Sequence, residues 1–225
     1  MHVIFMGPQG VGKGTQATQV AGTLGLVHLS TGDLFRAAIK SGSELGSTLK
    51  TYLDAGDLVP DELTLRIVDA RLDEIAASAP GGLVPGALFD GFPRTPAQAE
   101  GLDAMLETRG ESVAVVVELT APRDVLIERL AGRRVCPSCG ATYHVTYNPP
   151  ADGIHCDNCG TAIEQRKDDT PDAIERRLSL YDEQTAPLLE YYRGQGKLES
   201  VDGDRDVEAV SDDIVRVITG TTAST

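Results

Sequence analysis

Lys13 stands in a run of glycines, Gly7-Pro8-Gln9-Gly10-Val11-Gly12-Lys13-Gly14-Thr15, after a short apolar stretch and before a helix-compatible one. Glycines let successive backbone N–H groups turn inward around an anion. A helix N-terminus adds a fixed partial positive charge, and a lysine supplies a mobile cation. In a strand-to-helix context this is the chemistry of a phosphate-binding loop. The usual pattern puts Ser or Thr directly after the lysine; here Gly14 intervenes and Thr15 follows. A merely tight turn would need one or two glycines, not four with a lysine.

Phe89-Asp90-Gly91-Phe92-Pro93-Arg94 ends another apolar run. A carboxylate at the end of a buried parallel strand can hold magnesium or its waters beside phosphates, and Arg94 can take a phosphate on a neighbouring substrate. The bland alternative is a turn whose Asp caps the next helix. Further arginines flank a Cys-bearing stretch: Arg129, Arg133 and Arg134 on one side, Arg166, Arg176 and Arg177 on the other. Spaced four apart, Arg129 and Arg133 are expected on one face of the helix entering that stretch. If the stretch folds over a nucleotide, both flanks converge on its phosphates. Within it, Cys136-Pro137-Ser138-Cys139 and Cys156-Asp157-Asn158-Cys159 are separated by sixteen residues. Two such knuckles read as a four-thiolate zinc site, structural because every position is taken by sulfur. Disulfides are the rival pairing, disfavoured where thiols stay reduced. His2, His28 and His144 carry no pattern and receive no role; His155 is read as a neighbour of Cys156.

The elements that must position these residues follow from the hydrophobic pattern. Residues 2–6, 26–29, 87–89, 113–119 and 198–201 read as short buried strands. Helices are expected over 15–24, 31–41, 43–55, from Pro60-Asp61-Glu62, over 96–109, from Pro122 to Arg134, over 171–192 as one long rod, and over 207–218. Such alternation implies a mostly parallel sheet covered on both faces. The helical 30–59 and the Cys-bearing 132–169 interrupt it as insertions, and the tail 219–225 is small, polar and expected to fray.

The chain has 225 residues, with 20 Lys+Arg against 34 Asp+Glu and a net charge of −14. This argues against a nucleic-acid binder held by general electrostatics but permits a local cationic pocket for a small phosphate ligand. Of the basic residues 15 are Arg and five Lys, a bias toward the planar fork that matches phosphate oxygens. No apolar run approaches the ~18 residues of a membrane span, and no basic region precedes the first apolar stretch. A soluble, cytoplasmic protein without membrane or nucleic-acid partners is expected.

Taken together, the glycine loop with Gly14 after Lys13, Ser30-Thr31-Gly32-Asp33, Asp90-Gly91-Phe92-Pro93-Arg94, Gly132-Arg133-Arg134 and Arg166-Lys167-Asp168-Asp169 resemble the bacterial adenylate kinases of the long-lid, zinc-containing type. The resemblance extends over nearly the whole chain. It implies an α/β fold, the P-loop nucleoside monophosphate kinase fold: a parallel sheet flanked by helices, with core segments 1–29, 60–131 and 170–225. An AMP-binding subdomain (30–59) and a zinc-bearing lid (132–169) would be inserted into that core. It implies phosphoryl transfer from Mg-ATP to AMP, giving two ADP, by a monomer. Gly10, Val11, Gly12, Lys13, Gly14, Thr15, Arg129, Arg133, Thr142, Tyr143 and Arg205 would bind ATP. Thr31, Arg36, Asp57, Leu58, Val59, Gly91, Phe92, Pro93, Arg94 and Gln98 would hold AMP, with Arg166 and Arg177 reaching both substrates. Lys13 and the arginines Arg94, Arg129, Arg133, Arg166 and Arg177 would form the catalytic set. Asp90 would hold Mg2+ through water, and Cys136, Cys139, Cys156 and Cys159 would hold one structural Zn2+. Two departures stand out: Gln9 where the family more usually has Pro, and Arg205 where it often has Lys. Rival readings are a kinase for another nucleoside monophosphate, and a P-loop switch carrying a zinc-ribbon module that binds RNA.

Overall fold

The computed structural model describes residues 1–55, 57–78 and 85–222. Among them are seven strands: β1 (His2–Met6), β2 (Val27–Ser30), β3 (Ala87–Asp90), β4 (Val113–Thr120), β5 (Arg133–Val135), β6 (Thr142–His144) and β7 (Leu198–Asp202). Five form one sheet in the order β2–β3–β1–β4–β7, every pairing parallel. In the central strand both faces are buried. Val3 and Phe5 pack with one cluster, Ile4 and Met6 with the other, so the run reads as continuously apolar rather than alternating.

Helices cover both faces. α1 (Lys13–Leu24) gives Ala17 and Val20 to the first cluster. α2 (Thr31–Lys40) and α3 (Glu44–Ala55) stand apart with a small core of Phe35, Leu49 and Val59. α4 (Asp61–Ser78) and α5 (Pro96–Thr108) bring Val68, Leu72, Leu102 and Leu106 to the second face. α6 (Arg123–Gly132), α7 (Pro171–Leu180) and α9 (Val207–Thr222) give Leu130, Leu178 and Ile214 to the first, and α8 (Leu188–Gly194) gives Leu188 and Tyr192 to the second. Prolines open α5 and α7 where the sequence places them, behind the capping hydroxyls of Thr95 and Thr170.

Three expectations are corrected. The helix expected to reach Arg134 stops at Gly132, and Arg133 (φ −66°, ψ 139°) is already extended and paired with His144 in the β5–β6 hairpin. Glycine favours a helix end, and only glycine fits here, since a Cβ on Gly132 would lie 2.1 Å from His144 Nε2. Arg129 and Arg133 therefore do not share a helix face. The rod expected over 171–192 is interrupted: α7 ends at Leu180, a π-turn spans Tyr181–Thr185, and α8 begins after Pro187. Finally, α9 runs on to Thr222, so 219–222 of the expected frayed tail are helical, while 223–225 lie outside the described residues.

Candidate active site

Parallel strands deliver their C-terminal ends to one edge of the sheet, which is where open α/β sheets bind ligands. β1 runs into Gly7, β2 into Thr31, β3 into Gly91 and β7 into Gly203, so four separately read segments meet there. In the glycine loop Gly10 has φ +88°, and a Cβ there would come within 2.8 Å of Leu126 O; only glycine holds that turn against α6. Lys13 begins α1 and folds back, its Nζ donating to Gly7 O at 2.7 Å and Pro8 O at 2.9 Å. Burial lowers its pKa to about 8 against the pull of Asp90, with Arg94, Arg177 and Arg133 adding to the depression. Val11 is buried; Gly12 is half-buried, and Gly14 and Thr15 face solvent at the helix start.

Asp90 ends β3 beside this loop: a Cβ on Gly14 would be 3.5 Å from its Oδ2. Burial pushes the Asp90 carboxyl up, but His28 and Lys13 outweigh it and hold the group below its usual value. His28, given no role from sequence, places Nε2 3.4 Å from Asp90 Oδ2 from the adjacent strand β2. A charged carboxylate in this position, next to a phosphate loop, suits a hard divalent cation such as Mg2+.

On the other side, Thr31 is buried and donates to Gly91 O at 2.9 Å. Arg36 curls over Gly32 and pairs with Asp33. Phe92 packs on Phe89 in the core, and the Phe92–Pro93 peptide is cis. Arg94 Nε donates to Gly91 O at 2.7 Å, and Arg94 N donates to Gln98 Oε1 at 2.8 Å. Gln98 Nε2 in turn donates to Asp61 Oδ1 at 2.8 Å, so both ends of its amide are engaged in holding the Arg94 loop. Asp57 is exposed and pairs with Arg176, Leu58 is half-buried and Val59 packs with Phe35 and Leu49.

The arginines converge through two aspartates. Arg133 grips buried Asp169 with two bonds of 2.8 and 2.6 Å, and Arg177 reaches the same carboxylate at 3.1 Å. Arg166 grips Asp168 at 2.9 and 2.7 Å, with Arg177 again 3.1 Å away. Burial lowers Arg177 to about 10 against the pull of Asp168, with Arg133 and Arg166 lowering it further; it remains charged at neutral pH. Burial raises Asp168, but Arg166 and Arg177 dominate and lower it to about 2. Burial lowers Arg94, and Arg36 and Arg166 lower it further against the pull of Asp90, so Lys13, Arg94, Arg133, Arg166 and Arg177 share one field. Arg129 lies apart, donating to Gly203 O and Asp204 Oδ1, both at 3.0 Å. Arg205 is exposed, paired with Asp213 and donating to Asp202 O. Arg134 bonds to local carbonyls.

In the β5–β6 segment the four cysteines are free thiols with Sγ atoms all within 4.8 Å of one another. Cys136 and Cys159 are 3.4 Å apart, Cys139 and Cys156 3.5 Å. Tetrahedral zinc with Zn–S of ~2.3 Å spaces its sulfurs about 3.8 Å apart, so the set fits that ion. Tyr143 turns into the cluster, its hydroxyl donating to Cys156 Sγ at 3.3 Å and accepting from Asp157 N; Thr142, on the opposite face of β6, is exposed. Beyond His28, sequence reasoning missed Asp61 and Thr185, which donates to Arg94 O at 3.1 Å. Asp61 follows a helix-opening proline and reads as a cap, and Thr185 lies inside an expected continuous helix; neither carries a local signal.

The model of the family described as adenylate kinase matches residues 5–197. The chain is 50% identical to an adenylate kinase from Moorella thermoacetica over 93% of this chain and 94% of that one. It is 48% identical to one from Desulfitobacterium hafniense, covering 96% of each, and 46% identical to one from a Geobacillus species, covering 98% and 99%. With matches of this extent, and with the phosphate loop, the Asp90 loop and the arginine cluster on one edge of the sheet, the chain belongs to the adenylate kinase family.

Proposed function

We infer that the protein transfers a phosphoryl group reversibly from Mg-ATP to AMP, giving two ADP. The observation that carries this is the convergence of Lys13, Arg94, Arg133, Arg166 and Arg177 between a phosphate loop and a second, opposed loop. One triphosphate needs no such second half; a donor and an acceptor phosphate do. Gly10–Thr15, with Arg129, Arg133, Thr142, Tyr143 and the Arg205 backbone, bind ATP. Thr31, Arg36, Asp57–Val59, Gly91–Arg94 and Gln98 bind AMP, and Arg166 and Arg177 span both. The core is 1–29, 60–131 and 170–225, the AMP-binding subdomain 30–59 and the lid 132–169. The reading is of a monomer acting on small-molecule substrates in the cytoplasm.

A phosphate oxygen of AMP is nucleophilic without a base, so the protein's work is positioning and charge neutralisation. The N–H groups at the start of α1 and Lys13 hold the donor's phosphates, and Arg94 fixes the acceptor's. The substrate phosphates compete with Asp168 for Arg166 and Arg177, while buried Asp169 keeps Arg133 in place. The released guanidinium forks then stabilise the equatorial oxygens of the moving group. Closure of the lid over them excludes water and prevents hydrolysis. Magnesium, when bound near Asp90, neutralises and orients the donor phosphates. Cys136, Cys139, Cys156 and Cys159 would hold zinc, which would crosslink the lid and take no part in transfer.

The test is to incubate the protein with ATP, magnesium and each of AMP, GMP, UMP and CMP, and to quantify nucleotides by chromatography. Two ADP per ATP consumed, with AMP strongly preferred, is expected. Preference for another acceptor would reassign the 30–59 pocket, and ATP loss without transfer would refute the two-site reading.

A further inference from the structure

We propose that Thr185 is a positioning residue of the acceptor site, holding Arg94 through its backbone carbonyl, and that the π-turn between α7 and α8 sets its aim. The inference rests on the reading of Arg94 as an acceptor-phosphate ligand. It starts from a buried stripe at helical spacing: Ile174, Leu178, Tyr181, Thr185, Leu188 and Tyr192 are all at most 8% exposed. Thr185 is the one aliphatic-sized position of that stripe carrying a hydroxyl. Valine would fill the same volume, so the hydroxyl is not there for packing. A buried hydroxyl must find a partner, and this one donates to Arg94 O at 3.1 Å, 91 residues away in sequence.

That bond completes a three-point hold on Arg94. Its N–H donates to Gln98 Oε1, its Nε donates to Gly91 O, and its carbonyl accepts from Thr185. The second is made within the loop and the first to the start of α5; Thr185 ties the loop to the π-turn that follows α7, the helix carrying Arg177. The π-turn supplies the geometry. Ala186 N bonds Tyr181 O at 2.8 Å, one residue further than the α-helical partner. An extra residue in a turn rotates the succeeding helix by about 100° about the axis. α7 gives its buried residues to one cluster and α8 to the other, and Thr185 lies at the changeover with its hydroxyl on the Arg94 carbonyl.

The test compares Thr185→Val, which keeps shape and removes the hydroxyl, with Thr185→Ser, which keeps the hydroxyl. Michaelis constants for AMP and ATP are measured separately, and binding of AMP alone by calorimetry. Thr185→Val is expected to raise KM and Kd for AMP about three- to tenfold, the worth of one hydrogen bond, and to leave KM for ATP within about twofold. Thr185→Ser is expected to keep near-native AMP affinity. Unchanged AMP affinity in Thr185→Val, equal shifts in both constants, or a serine variant as weak as the valine one would overturn the proposal. If the valine variant fails to fold, Thr185→Ala against Thr185→Ser decides it by the same contrast. A native protein with no AMP-dependent turnover would instead sink the acceptor reading itself.

Discussion

Burial lowers the Lys13 ammonium to about 8, and in this structure its two hydrogen-bond acceptors are neutral carbonyls, Gly7 O and Pro8 O. A bound triphosphate would replace them with charged oxygens and raise the pKa again. The sign follows by linkage: a cation whose pKa is higher in the complex than in the free protein makes binding take up a proton between the two values. Above about pH 8, therefore, ATP binding should consume protons and weaken by up to about tenfold per pH unit. Below pH 7 Lys13 is already charged and contributes no uptake. Calorimetry at pH 9 in two buffers of different ionisation enthalpy checks this; identical heats would contradict it. Lys13→Ala should abolish the buffer difference and lower kcat by about 10²- to 10³-fold, the scale for losing one preorganised charge stabiliser. Its circular dichroism should match the native protein.

The elements differ in how far they were legible. β1, the glycine loop and the cysteine knuckles depend on local rules, namely an apolar run, a glycine pattern and a ligand spacing, and each stands where the sequence puts it. The end of α6 and the break before α8 sit at local breakers, Gly132 and Pro187, but what those breaks serve, Gly132 against His144 and Thr185 on Arg94 O, depends on partners far away that no local pattern announces. The same distinction hid His28, whose meaning lies in its strand neighbour Asp90. Where a tertiary contact sets an element's end, mutation at that contact should act on the element rather than on the whole fold. Gly132→Ala would drive a methyl into the His144 ring and force the α6–β5 junction open. Hydrogen exchange should then quicken through 133–164 while β1 and β4 stay protected, with turnover falling at least tenfold because Arg133 loses its position. Asp169→Ala, in contrast, removes the buried partner of both Arg133 and Arg177 and should destabilise the chain by about 3 kcal/mol, read as a melting shift of roughly 6–12 °C.

Across the whole molecule, burial is distributed very unequally. The sheet is packed on both faces by two large clusters, whereas the Cys-bearing segment 133–164 buries only Cys136, Tyr143, Pro150 and Cys156, with Ala141 and Ile163 packed against the cysteine cluster. Such a segment cannot offset its own conformational entropy, at about 1–2 kcal/mol per ordered residue, from apolar burial. Several of its backbone pairs, among them Cys136 with Ala141 and Cys156 with Thr161, start from the cysteines themselves. Ion binding at such a site is folding energy, on the order of 10 kcal/mol, and it is available only to the residues the ion crosslinks. Removing the metal should therefore leave the sheet intact and melt the hairpin first. After chelation, amides of 135–164 should exchange almost unprotected while β1, β3 and β4 keep native protection, and calorimetry should show a weak early transition before the main one. Turnover should fall while adenine nucleotides still bind the glycine loop, because Lys13 and its helix belong to the part that stays folded. Simultaneous loss of protection in the hairpin and the sheet would show instead that the two fold as one unit, with the cysteine cluster stabilising the entire chain.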